Sequence, residues 1–483
     1  MPLVPPRNLI YQIFPDRYAA DGGEPLPTEA ARAASAEVAG ADALAPWKVH
    51  AGGTLNGVVD RLPHLEALGA DCVYLTPVFE APSNHKYDAT SFDRVDPCFG
   101  GDAAFDRLAA ACAGGGMGLV LDGVFNHVGD KHEWFASASG AGGIESVHRP
   151  YFKWLESPGG YSSWRGHGHM PELDLSHGPV TDALWDADES VLLRWLRRGA
   201  TGWRLDCAND LGLARCEAIM RAARSGRAPN PDGVVGEVMN YGEEWVAEGR
   251  LDGVMNYYFR ETVLGLATGD VPAAQAAHNL KRMARRFRYG ALLRSWNMLG
   301  SHDTPRLRHI IPEFARRAFL MTLAFVYPGI PVVYYGDEIG MEGGPDPDNR
   351  RPMVWDEAMH ERAMFMHVKS LAKTRKACAA LREGDYVTMP QPGHPELLAF
   401  ARTIPGRPAE TVVVVANSSD RTVRARVFAP DSHLFDSLLM RDALGLSATS
   451  RMVSGRFDIE LQPWAVGLFS PDESLFPGYS FFR

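Results

Sequence analysis

Gly202-Trp203-Arg204-Leu205-Asp206 is a short apolar run broken by one arginine and closed by one acid. Side chains alternate along an extended strand, so Arg204 and Asp206 share a face and the guanidinium can hold the carboxylate ionised. Two other runs end in the same way: Val234-Val235-Gly236-Glu237 and Leu299-Gly300-Ser301-His302-Asp303. Acids that follow apolar strands at wide intervals can converge on one rim of a parallel barrel.

Eight such runs are present: Leu9 to Phe14, Cys72 to Leu75, Leu119 to Leu121, Trp203 to Leu205, Val234 to Val235, Val254 to Met255, Trp296 to Leu299 and Pro331 to Tyr335. Helical patterns separate several of them, such as Val58 to Leu68 and Phe105 to Cys112. Eight strand–helix units imply a closed (β/α)8 TIM barrel; a doubly wound open sheet is disfavoured because no glycine-rich phosphate turn follows a strand. The segment from Asn126 to about Leu175 has no sustained period and is too long for a plain connection, so it reads as an inserted subdomain after strand three, over the active rim. Residues 33–45 are alanine-rich and read as part of a long first loop. From about Tyr386 short β-type runs suggest a C-terminal antiparallel β-sandwich. The expected division is a barrel over residues 1–127 and 176–385, a subdomain over 128–175 and a sandwich over 386–483.

The chain of 483 residues carries a net charge of −10 with no basic run, which argues against a nucleic-acid groove and suits a neutral substrate. No apolar segment reaches membrane-spanning length, and the N-terminal residues lack an export pattern, so the cytoplasm is the expected location. The six cysteines form no CxxC pair; most read as small buried residues in a reducing compartment.

Four stretches together resemble the α-amylase family of glycoside hydrolases: Asp122-Gly-Val-Phe-Asn-His127, Gly202-Trp-Arg-Leu-Asp206, Gly236-Glu237 and Ser301-His302-Asp303. Asn84-His85-Lys86-Tyr87-Asp88 is similar to a substrate-binding loop after strand two. Within the family the chain looks most like the neopullulanase, cyclomaltodextrinase and maltogenic amylase branch. Met170-Pro-Glu-Leu-Asp174, Asn209-Asp210, and Gly336-Asp-Glu-Ile-Gly-Met341 followed by Asp346-Pro-Asp-Asn-Arg350 carry that likeness. The first strand starts near Leu9, so the resemblance implies a chain without that branch's extra N-terminal domain, and hence a monomer. Gly52-Gly53-Thr54 stands where the branch has a Gly-Gly-Asp calcium element, which removes one hard oxygen ligand and leaves structural calcium open. Met239 stands where the branch often has an aromatic residue.

The resemblance implies a retaining α-glycosidase that needs no cofactor for its chemistry. Its substrates would be α-1,4-glucans: maltooligosaccharides, cyclodextrins or starch. Asp206 would be the nucleophile, Glu237 the acid and then base, and Asp303 the third acid. His85, Tyr87, His127, Arg204 and His302 would contact the cleaved sugar or its acids. Asp346 and Arg350 would lie toward the non-reducing end, and Asn209 and Asp210 on the leaving-group side. Asn126 reads as an anchor of its loop rather than a metal ligand. Trp134, Trp154 and Trp164 read equally as sugar platforms or as core of the insertion. The alternatives are a 4-α-glucanotransferase, a sucrose- or trehalose-metabolising enzyme, or a non-catalytic carbohydrate-binding protein on the same fold. All three acids are present, which disfavours the last.

Overall fold

A computed structural model describes residues 6–26, 46–156, 160–229, 231–429, 437–445 and 447–472. The alanine-rich first loop lies outside the described residues. Every expected barrel run forms a strand: β1 Ile10–Ile13, β2 Cys72–Leu75, β3 Gly118–Gly123, β4 Gly202–Leu205, β5 Gly233–Gly236, β6 Gly253–Val254, β7 Trp296–Met298 and β8 Ile330–Tyr334. They pair in parallel in the order β6-β5-β4-β3-β2-β1-β8-β7, and a parallel bridge between Met255 and Trp296 joins the two ends. β6 is two residues long because the helix Tyr257–Thr268 follows at once, its first turn capped by the Asn256 side chain, which accepts the Phe259 amide at 3.1 Å. The helix expected over Val58 to Leu68 is two helices, Leu55–Asp60 and Leu62–Leu68. Pro63 has no N–H to donate and suits only a first turn, so the chain breaks at Arg61.

Alternation sorts the barrel side chains. Ile10, Cys72, Tyr74, Val120, Val235, Met298, Ile330 and Val332 fill the interior, while Tyr11, Val73, Leu119, Leu121, Val234 and Val333 pack outward under the helices. Strands buried on both faces have to be apolar throughout, which is why these runs stand out in the sequence. Among the described residues the insertion carries one α-helix, Glu133–Ser139, three short 3-10 turns, and isolated bridges that pair Phe152 with Leu173 and Ser163 with Pro171. The bridge between His127 and Glu172 ties the insertion back to the end of β3.

After the barrel come β9 Asp385–Thr388, β10 Leu397–Ile404, β11 Arg407–Asn417, β12 Val423–Phe428, β13 Leu439–Asp442, β14 Ser450–Arg451, β15 Arg456–Leu461 and β16 Val466–Pro471. Six form an antiparallel sheet in the order β14-β13-β16-β11-β10-β9, and β12 pairs with β15 as a two-stranded ribbon. Val413, Val415 and Phe469 of the sheet meet Val423, Val427, Phe457 and Leu461 of the ribbon in one core, which is the expected sandwich. β9, β13 and β14 were not anticipated; they are short and lack a strong alternating signal.

One buried arginine locks this sheet to the barrel, and a second, on the barrel helix Arg362–Ala377, braces the same helix end. Arg402 of β10 donates to the carbonyls of Val326 at 2.8 Å and Gly384 at 2.8 Å. Arg375 donates to Phe325 and Gly329 at 2.9 and 2.7 Å. The helix Phe314–Val326 ends there, so the guanidinium groups satisfy its terminal carbonyls and meet the negative end of its dipole. Replacing Arg402 by Met should strand those carbonyls and cost on the order of 3 kcal/mol. Thermal melting followed by circular dichroism would read this as a lower midpoint, with Arg402→Lys recovering only part of the loss.

Candidate active site

A cavity of about 590 Å³ opens where the strands end, and Asp206, Glu237 and Asp303 all line it. Asp206 follows β4 directly and Glu237 follows β5, each still held by ladder hydrogen bonds: Asp206 donates its amide to Gly123 at 3.2 Å, and Glu237 donates to Leu205 at 2.9 Å. A carboxylate oxygen of Asp206 and one of Glu237 lie within 4.8 Å of each other. Between the acids sits Arg204, with no exposed surface. Its Nη1 donates to Asp206 Oδ1 at 2.7 Å and to Asp122 Oδ1 at 2.8 Å, while Nη2 lies 3.0 Å from Glu237 Oε2 and 3.9 Å from Asp303 Oδ2.

Cys207 leaves the strand with φ 46° and ψ 45°, a left-handed turn rare outside glycine. That turn aims its amide at Glu237 Oε2, 2.8 Å away. Strain of this sort belongs to sites whose surroundings over-determine the backbone. Burial pushes Asp206 up to about 8, opposed by Arg204 and reinforced by the nearby Glu237 and Asp122 carboxylates. Burial also drives His127 down to about 3 and His85 and His302 well below their ordinary value, so all three are neutral near pH 7.

Of the twelve residues expected here, ten line the cavity: the three acids with His85, Tyr87, His127, Asn209, Asp210, Asp346 and Arg350. Arg204 and His302 lie immediately behind the wall, each almost fully buried. Arg350 bridges Asp346 and Asp303, with Nη2 at 3.2 and 3.6 Å from them. Asn209 accepts the Met239 amide at 3.3 Å, and Asp210 accepts the Trp164 indole N–H at 3.2 Å. Trp164 lines the cavity and stacks on His127, with centroids 5.4 Å apart. Trp134 and Trp154 instead pack within the insertion, against Tyr151 and Phe135. Asn126 anchors the insertion through its carbonyl, which accepts the Leu173 amide at 3.0 Å.

Sequence reasoning gave no role to Asp122, although it quoted the residue. Its Oδ2 accepts from Tyr74 at 2.7 Å and Tyr87 at 3.0 Å, so it orients both phenols while holding Arg204. Trp47 and His169 of the cavity wall were missed because each is isolated among unpatterned residues, and Cys207, next to Asp206, was grouped only with the other cysteines. The reading of most cysteines as buried holds for Cys72, Cys112 and Cys216; Cys98 is exposed, and Cys207 and Cys378 are half-buried.

The family described as "Alpha amylase, catalytic domain" matches residues 12–387. The chain belongs to the α-amylase family. This glycoside hydrolase is 35% identical to neopullulanase 2 of Thermoactinomyces vulgaris over 434 residues, 88% of this chain and 71% of that protein. It is 34% identical to a cyclomaltodextrinase of Geobacillus thermopakistaniensis over 85% of this chain and 68% of that one. Among solved structures, a cyclic α-maltosyl-(1→6)-maltose hydrolase from Arthrobacter globiformis, in complex with maltose, superimposes with a TM-score of 0.77 at 27% identity, covering 96% and 98% of the two chains.

The calcium element does not fit an ion. Thr54 Oγ1 donates to Asp21 at 2.5 Å and accepts the Gly57 amide at 2.9 Å, so its hydroxyl is already used. Asp16 beside it accepts two backbone amides, from Ala51 and Gly52, and lies 3.3 Å from Arg17 Nε. Amides and a guanidinium supply there the positive groups that calcium would otherwise supply. Among the described residues the other donor cluster is Asp206, Cys207 and Glu237, where Arg204 already provides the positive charge. EDTA should therefore leave the melting temperature within about 1 °C, measured by scanning fluorimetry with and without added calcium.

Asp206 gives a second expectation. Its folded pKa exceeds the unfolded value, so the folded state binds more protons and stability falls as pH rises through about 8. Asp206→Asn removes that charge and should raise the melting temperature more at about pH 9 than at about pH 5. Equal gains at both pH values would contradict the burial argument.

Proposed function

We propose that this enzyme is a retaining α-glycosidase acting on α-1,4-linked glucans, with short maltooligosaccharides and cyclodextrins as its main substrates. The observation that carries the reading is the approach of Asp206 and Glu237 to within 4.8 Å in a cavity they share with Asp303. Retaining enzymes hold their two carboxyl groups about 5–5.5 Å apart, whereas inverting ones leave about 6.5–9.5 Å for a water molecule. The likeness to neopullulanase and cyclomaltodextrinase supports the substrate class.

In this mechanism the ionised form of Asp206, which its contact with Arg204 favours against burial, attacks the anomeric carbon through Oδ2 while Glu237 gives its proton to the departing glycosidic oxygen. Arg204 holds Asp206 through the other oxygen, Oδ1, leaving Oδ2 directed at the sugar. Glu237, now a base, then takes a proton from water, and the water oxygen displaces Asp206 to restore the acid. Asp303 grips the sugar hydroxyls, fixed by Arg350 on its outer side. His85 accepts the Tyr87 amide at its Nδ1, at 3.1 Å, which leaves its Nε2–H for the substrate. Asp346 and Arg350 bind further sugar toward the non-reducing end, and Asn209, Asp210 and Trp164 form the leaving-group side. The barrel over residues 1–127 and 176–385 supplies the acids, and the insertion over 128–175 supplies the Trp164 wall.

Two measurements test this. Proton NMR of the first products from maltotriose should show the α-anomer before mutarotation; a β-anomer would refute retention. Glu237→Gln should lower kcat by at least about 1,000-fold with binding preserved, and near-normal turnover would remove Glu237 from the acid role.

A further inference from the structure

Gln12 is an anomaly. Alternation along β1 places it on the face of Ile10, inside the barrel whose interior is lined by apolar residues such as Tyr74, Val120, Trp296 and Val332, and its register partner on β2 is Tyr74. It is only 1% exposed. Burying an amide in such surroundings costs free energy unless it is hydrogen-bonded, and its Nε2 lies 2.8 Å from Nδ1 of His302. We propose that Gln12 is a positioning residue that fixes the tautomer of His302, keeping the proton on Nε2, where it faces the third acid and the reacting sugar.

The chemistry follows from donors and acceptors. The Gln12 amide N–H donates, so Nδ1 of His302 must be bare and accept, which leaves the single ring proton on Nε2. Nε2 stands 2.5 Å from the Tyr87 hydroxyl and 3.3 Å from Asp303 Oδ2. The Tyr87 hydroxyl donates a hydrogen bond to Asp122 at 3.0 Å, so its oxygen is free to accept from His302. The opposite tautomer would point a lone pair at the Asp303 carboxylate. The charged groups around the ring are Asp303 on its own loop, Asp122 beyond Tyr87, Arg204 from β4 and Arg350 from the loop after β8. The two arginines and burial hold the ring neutral, so its charge cannot fix its orientation; a hydrogen bond has to.

This rests on the reading of His302 as a group that faces the sugar, and the test keeps the two apart. In the free wild-type protein, selective ¹⁵N-histidine NMR, assigned with a His302→Gln variant, should show bare Nδ1 and protonated Nε2 from about pH 5 to about pH 8. A protonated Nδ1 overturns the proposal, whatever the enzyme cleaves. In kinetics, Gln12→Glu presents only acceptors and pulls the ring proton to Nδ1, or charges the ring. Its kcat on maltotriose should fall on the order of 100-fold with KM within about threefold, and the acid limb of its pH profile should move upward. Gln12→Met, which removes the donor without adding charge, should lose less and keep the wild-type pH profile. Wild-type kcat and pH profile in Gln12→Glu would overturn the proposal. If that variant does not fold, the wild-type NMR pattern decides.

Discussion

One guanidinium carries the centre of this protein. Arg204 lies within 4 Å of four carboxylates, from Asp122, Asp206, Glu237 and Asp303, and none of its surface reaches solvent. Four acids gathered in a low-dielectric cavity repel one another strongly, and a single fixed cation offsets part of that repulsion while setting the orientation of each. Arginine suits the task because its planar fork addresses several oxygens at once and it does not lose its proton. Without it the buried acids would be uncompensated, and the site would protonate or open.

The surroundings are arranged to keep that cluster in register. Asp122 ends β3, and Asp206 and Glu237 directly follow β4 and β5, so the relative positions of these three acids follow from the parallel ladder, whereas Asp303 sits on the loop after β7 and is held there by Arg350. The ladder is rigid because its strands are buried on both faces, and rigid elements hold side chains more closely than loops do. The left-handed turn at Cys207 is a local cost that the ladder imposes. It serves the site by directing an amide at Glu237. Far from the cavity, Arg402 fastens the C-terminal sheet to the helix before β8, and Arg375 ties the last barrel helix to the same helix end, with backbone carbonyls as their partners. Buried arginines thus appear in two arrangements: Arg204 is paired with acids where chemistry is needed, and Arg375 and Arg402 with backbone carbonyls at a helix end where only docking is needed.

The legible parts of the site were those with a sharp pattern. Asp206, Glu237 and Asp303 each close an apolar run, so strand and acid could be read together. Trp134, Trp154 and Trp164 all sit in one aromatic segment, and only the bridges of the insertion decide that Trp164 meets His127 while the others face inward. Asp122 was visible in its motif but had no assignable task, since its partners Tyr74 and Tyr87 come from another strand and another loop. Gln12 was hidden for a simpler reason: one polar residue in an apolar run has no period. The break at Arg61 was foreseeable from Pro63, whose missing N–H is a purely local fact.

What the chain alone determined was the order and character of its parts. Eight two-sided apolar strands, a long insertion and a β-rich end follow from burial and alternation, which are properties of neighbouring residues. Tertiary structure decided the partnerships: which acid shares Arg204, which indole faces the cavity, and which nitrogen of His302 meets Gln12. Those depend on distances between residues up to hundreds of positions apart, and alternation within any one strand holds no record of them.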